Sequence, residues 1–75
     1  MEHAELLTMQ KAYKAAVDEW VTTIRAEEEL ASTDPTVAQV DTWEHAHFKE
    51  EDARNKAKKA KKDYEEAIRQ SLFHF

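Results

Sequence analysis

Ser32-Thr33-Asp34-Pro35 is the one strong punctuation mark in a chain of 75 residues, and its reading decides the fold. Asp34 suits an N-cap, because its carboxylate accepts hydrogen bonds from the backbone N–H groups of the turn that follows. Pro35 suits the first helical position, where no N–H is needed. The sequence on either side is rich in Ala, Glu, Lys, Arg, Gln and Leu, all strong helix formers. These signals predict a helix over about 3–31, a turn over about 32–34 and a second helix over about 35–72. So short a connection folds the helices back on each other. The expectation is an all-α antiparallel two-helix hairpin, with residues 1–75 forming a single unit.

Projected at 100° per residue, the first helix carries one apolar stripe about 140° wide. Leu6, Met9, Tyr13, Ala16, Val17, Trp20, Val21, Ile24 and Ala31 lie on it, and Lys11, Lys14, Asp18, Thr22, Arg25 and Glu29 lie opposite. Leu6, Tyr13 and Trp20 also recur every seven residues, the spacing of a coiled-coil seam. The second helix answers with small residues. Ala46, Ala53, Ala60 and Ala67 repeat every seven, with Ala57 and Tyr64 on the same face. Alanine lets a neighbouring helix approach closely, so Tyr13 and Trp20 are expected to fill the space it leaves.

Composition removes most chemistry. There is no glycine, so no phosphate-cradling loop, and no cysteine, so no disulfide, thiolate metal site or thiol nucleophile. Ser32 and Ser71 are the only serines, and no His–Asp pair is expected near either. Two helices offer no cleft in which to raise a carboxylate pKa, so the expectation is a protein that is not an enzyme. Acidic groups outnumber basic ones 16 to 11, for a net charge of −5, which disfavours attraction of the whole molecule to nucleic acid or anionic membrane. No stretch reaches the roughly 18 apolar residues of a membrane span. Met1-Glu2-His3-Ala4-Glu5 is acidic where a signal peptide needs positive charge, which makes the cytoplasm the expected location.

The apolar residues also argue against a lone hairpin. Chains of this size usually need a disulfide, a metal or a second subunit to be stable, and cysteine is absent. A homodimeric four-helix bundle is therefore expected, or docking on a larger protein. Tyr13, Trp20, Val40, Trp43 and Phe48 are the candidate partner-binding residues near the seam and the turn. If facing positions sum to about 67, as a hairpin about residues 32–34 implies, the tail of the second helix overhangs the first. Leu72, Phe73 and Phe75, beside Ile68, are then uncovered and join the candidate surface. In an antiparallel dimer such a tail would cover the turn-proximal face of the other hairpin, although the sequence leaves the sense of a dimer open.

Two further clusters carry alternative functions. Glu44 and His47 form a Glu-x-x-His pair that, over four residues, resembles ferritin-like dimetal hairpins. The resemblance implies a divalent or iron ion held at a dimer interface by two copies of Glu27, Glu44 and His47. The projection instead places Glu44, His47 and Glu51 at least about 100° from the alanine seam, as a surface row making ordinary i, i+3 and i, i+4 contacts. The second cluster is the basic run Arg54, Lys56, Lys58, Lys59, Lys61 and Lys62, six positive charges in nine residues. A nucleic-acid-binding adaptor would use Arg54, Lys58, Lys59, Lys61 and Lys62 against phosphates. These charges fan round the helix and have no aromatic among them to stack on bases, the pattern of a solvated face. Attraction to the acidic first helix is the favoured use.

Overall fold

The structure is a computed structural model that describes residues 3–31 and 37–73, and the side chains of all of these but 37–39. It is an all-α two-helix hairpin. Helix α1 spans His3–Leu30 and helix α2 spans Val37–Phe73. The connecting Ser32-Thr33-Asp34-Pro35 signal and Phe75 lie outside the described residues. The last backbone bond of α1 runs from the N–H of Ala31 to the carbonyl of Glu27 at 3.2 Å. Three threonines within α1 place their hydroxyls on earlier backbone carbonyls: Thr8 on Ala4, Thr22 on Asp18 and Thr23 on Trp20. Each polar group is thereby satisfied within its own helix.

The alanine seam forms. Ala53, Ala57 and Ala67 are the only buried residues among those described, and Ala46 and Ala60 are half-buried beside them. No large side chain is fully buried, and α1 contributes no buried residue at all. Leu6, Met9, Tyr13, Trp20 and Leu30 reach the seam only half-covered. Two helices share one line of contact, and each large side chain can be covered on one side only.

The register differs from the expected one. Trp20 meets Glu50, Glu19 meets Lys56, and Tyr13 meets Tyr64. Facing positions therefore sum to about 70–77 rather than 67. The shift is about one heptad, so the same faces meet but two turns displaced. It moves the unmatched length of α2 from the tail to the first turns. The start of α1 now lies level with the end of α2, and Ile68 is half-buried rather than uncovered. The extent of 55 Å is the length of α2 alone, 37 residues at about 1.5 Å each.

Candidate interaction face

Side chains in the seam fix how α1 and α2 are rotated. The indole N–H of Trp20 donates to Oε1 of Glu50 at 2.8 Å. Glu50 is largely shielded, its side chain 12% exposed, and the same oxygen lies 4.0 Å from Nε of Arg54. That nitrogen is buried without a hydrogen-bond partner, because the carboxylate is turned to the indole. The rings of Tyr13 and Tyr64 lie 6.3 Å apart, tilted by 36°, within the range of attractive aromatic pairs. Tyr13 and Trp20 thus spend their contacts inside the hairpin.

The hairpin has two unlike flanks. On one, Lys56 comes within 4.0 Å of Glu19, and a shallow groove of about 530 Å³ near the turn is lined by Thr23, Ala26, Thr42, His45 and Lys49. Heptad spacing carries this flank along α1 through Glu5, Ala12, Glu19 and Ala26. Charged Glu5, Glu19, Lys49 and Lys56 alternate on it with Ala12 and Ala26, and Leu30 and Ala46 also line its groove.

The other flank is apolar at both ends. Near the turn a second groove, of about 310 Å³, brings together Glu27, Ala31, Trp43 and His47. Leu7, Val17, Val21 and Ile24 precede Ala31 at alternating helical spacings, which sets them on the same flank of α1. On α2, Val40 lies one turn before Trp43, while Arg54, Lys61, Ile68 and Leu72 continue the row. Of the eight exposed large apolar side chains among the described residues, six stand here: Leu7, Val21, Ile24, Val40, Trp43 and Leu72. The remaining two, Phe48 at 60% exposed and Phe73 at 61%, project about 150° or more from the seam, on the back of α2.

This arrangement separates the sequence-derived candidates. Val40, Trp43 and Leu72 share one flank, Phe48 and Phe73 stand apart from it, and Tyr13 and Trp20 line the seam. Leu7, Val21 and Ile24 belong to the flank although the sequence reading left out Leu7 and assigned the other two to the seam. The signal was the width of the α1 stripe, since a seam of two positions per heptad needs a narrower one.

The shifted register brings Glu27 and His47 into one groove, whereas Glu44 does not line it. Among the described residues no three His, Cys, Asp or Glu side chains gather as a metal ion would need. His47 instead lies 3.8 Å from Glu51, an ion pair only when His47 is protonated, and its ring centroid is 5.9 Å from that of Phe48. In the basic run, Lys59 reaches Asp63 at 3.3 Å and Lys61 reaches Glu65 at 3.9 Å, with Arg69 on the same Glu65 at 3.6 Å. Lys58 and Lys61 border the apolar flank, while Lys59 and Lys62 point elsewhere. No helix among the described residues is long and apolar enough to cross a membrane. Comparison with family models, with curated proteins and with solved structures found no match. The functional reading therefore rests on this geometry.

Proposed function

We propose that this small all-α module is a non-enzymatic protein–protein interaction or structural element that docks through its apolar flank, completing a four-helix bundle. One observation carries the reading: among the described residues no large side chain is fully buried, while six exposed ones share a single flank. Burying a Val, Leu, Ile or Trp side chain contributes roughly 1.5–3 kcal/mol, which the isolated hairpin leaves unused. Clustered apolar residues on one face mark interaction sites, whereas scattered single residues do not. Trp43 and Val40 anchor a patch at the turn end, Val21 and Ile24 lie further along the flank, and Leu72 and Leu7 form a second patch at the far end.

Sedimentation equilibrium of the full chain tests this. A mass of two chains at micromolar concentration is expected. A folded monomer with a sharp, cooperative melt at that concentration would overturn the homodimeric form.

A metal-binding role keeps one supporting observation, the shared groove of Glu27 and His47. It requires carboxylates from elsewhere, and iron, manganese or zinc should then raise the melting temperature. The nucleic-acid role has weaker support, because Arg54, Lys59 and Lys61 of the five candidates have acidic neighbours within 4.0 Å.

A further inference from the structure

We infer that the occupant of the apolar flank is a second copy of this chain, laid face to face and antiparallel. The inference rests on the docking reading above and adds the partner and its sense.

Area argues for an occupant of substantial size. A compact monomer of 8.8 kDa exposes about 4,800 Å². This chain exposes 5985 Å². The excess, about 1,200 Å², is more than the ~800 Å² each partner gives to a standard interface.

Charge identifies the occupant. Along the flank from turn to tail, the apolar group Val40, Trp43 and Ala31 comes first. An acidic band with Glu28 and Glu51 follows. Val21 and Val17 lie at the middle with Arg54, which keeps Glu50 of its own chain at 4.0 Å. Next comes a band of Lys14, Lys58 and Lys61 that stays net positive although Glu65 lies in the same row and holds Lys61 at 3.9 Å, and the apolar group Leu7, Ile68 and Leu72 closes the row. Both ends of the row are apolar, and its net charge changes from negative in the turn half to positive in the tail half.

Either sense of a face-to-face dimer lays apolar ends on apolar ends, so the charges decide. In the parallel sense α1 faces α2 of the second copy at equal height, and Lys14 meets Lys58 and Lys61. In the antiparallel sense each helix faces its own copy about a two-fold axis near residue 55, the midpoint of α2. Glu51 then comes level with Lys58 and Lys61 of the second copy. Val17 meets Val21, Trp43 meets Ile68, and Ala31 meets Leu7. Like charges across an interface are costly, and opposite ones fix register and speed encounter.

The absence of native cysteine makes the test direct, because a single introduced cysteine carries the only label. Asn55→Cys and Gln70→Cys replace exposed side chains away from the flank. Each variant is spin-labelled and its inter-label distance is measured by pulsed resonance, with the mass recorded alongside. The antiparallel dimer predicts a short distance at residue 55, beside the axis. It predicts at least about 45 Å at residue 70, which lies fifteen residues from the axis in each copy. Short distances at both sites would overturn the antiparallel sense and leave docking by a second copy intact. A monomeric mass with no inter-label distance at either site would overturn the second copy itself.

Discussion

The indole N–H of Trp20 donates to Oε1 of Glu50 at 2.8 Å across a separation of 30 residues, tying the middle of α1 to the middle of α2. A hydrogen bond to a charged acceptor contributes roughly 1.5–3 kcal/mol when shielded, and less here because both groups are only partly buried. Trp20→Phe keeps most of the ring and removes the donor. Glu50→Ala removes the acceptor. Chemical denaturation of both single variants and the double variant should give a coupling energy of about 1 kcal/mol. Additive losses would mean that the bond contributes nothing and that ring packing alone holds the register.

The alanine seam predicts an asymmetric response to added bulk. Ala57 is 3% exposed and faces α1, so Ala57→Leu forces the helices apart. Overpacking of this kind costs about 1–3 kcal/mol. For a chain of this length that lowers the melting temperature by about 4 °C or more. Ala12 is exposed on the charged flank, and Ala12→Leu should change stability by no more than about 0.5 kcal/mol. Equal effects at the two positions would show that alanine serves helix propensity rather than close approach.

The faces that meet were legible in the sequence, but the register was not. Periodicity every seven residues assigns Tyr13, Trp20, Ala53, Ala57 and Ala67 to the seam without choosing which heptad meets which. Counting outward from the Asp34-Pro35 signal gave a sum of about 67, and the structure pairs Tyr13 with Tyr64 and Trp20 with Glu50 instead. A displacement of one heptad preserves every face, so no hydrophobic pattern registers it. Cross-helix polar partners such as Trp20 and Glu50 break that degeneracy, and one sequence does not reveal which acid an indole selects. The flank was half-legible for a related reason. Val40 and Leu72 stand out in the sequence as apolar residues off the seam, whereas Trp43 falls on the alanine stripe, and Val21 and Ile24 fall within a stripe wide enough to serve both seam and flank.

Assembly should depend on which side of α2 carries the apolar group. In the proposed dimer Trp43→Ala would remove an anchor from both copies and should raise the dissociation constant at least tenfold, about 1.4 kcal/mol. Phe48→Ala removes a larger exposed area from the back of α2 and should leave that constant within about twofold, since only contacts made in the dimer count. Sedimentation across a dilution series reads both. The opposite ranking would move the docking surface to the back of α2.

Metal addition separates two dimer geometries. In the proposed antiparallel dimer, with its two-fold axis near residue 55, copies of His47 would stand roughly 24 Å apart along the bundle, too far to share ions with Glu27 and Glu44. Zinc, manganese or ferrous iron should therefore leave the melting temperature unchanged to within about a degree, and Glu27→Gln should not alter that result. A stabilisation by metal that Glu27→Gln abolishes would favour a shared site and a parallel pairing.

The sharpest test of the charge pattern is a reversal within one chain. Lys58 has Arg54 and Lys62 one turn to either side, so Lys58→Glu creates favourable i, i+4 neighbours and should not weaken the helix itself. In the antiparallel dimer it sets the introduced carboxylate against Glu51 of the second copy, twice per assembly. The dissociation constant should rise about three- to tenfold at low salt, and the loss should shrink as ionic strength increases. Adding Glu51→Lys to the same chain reverses both partners and should restore most of the affinity. Within one chain these positions are seven residues apart, about 10.5 Å along the helix, so direct intrachain compensation is weak. In a parallel dimer position 58 of one copy lies level with position 14 of the other, where Lys58→Glu would strengthen rather than weaken association. The sign of the single substitution therefore reports the sense of the dimer, and rescue by the double substitution identifies the pair responsible.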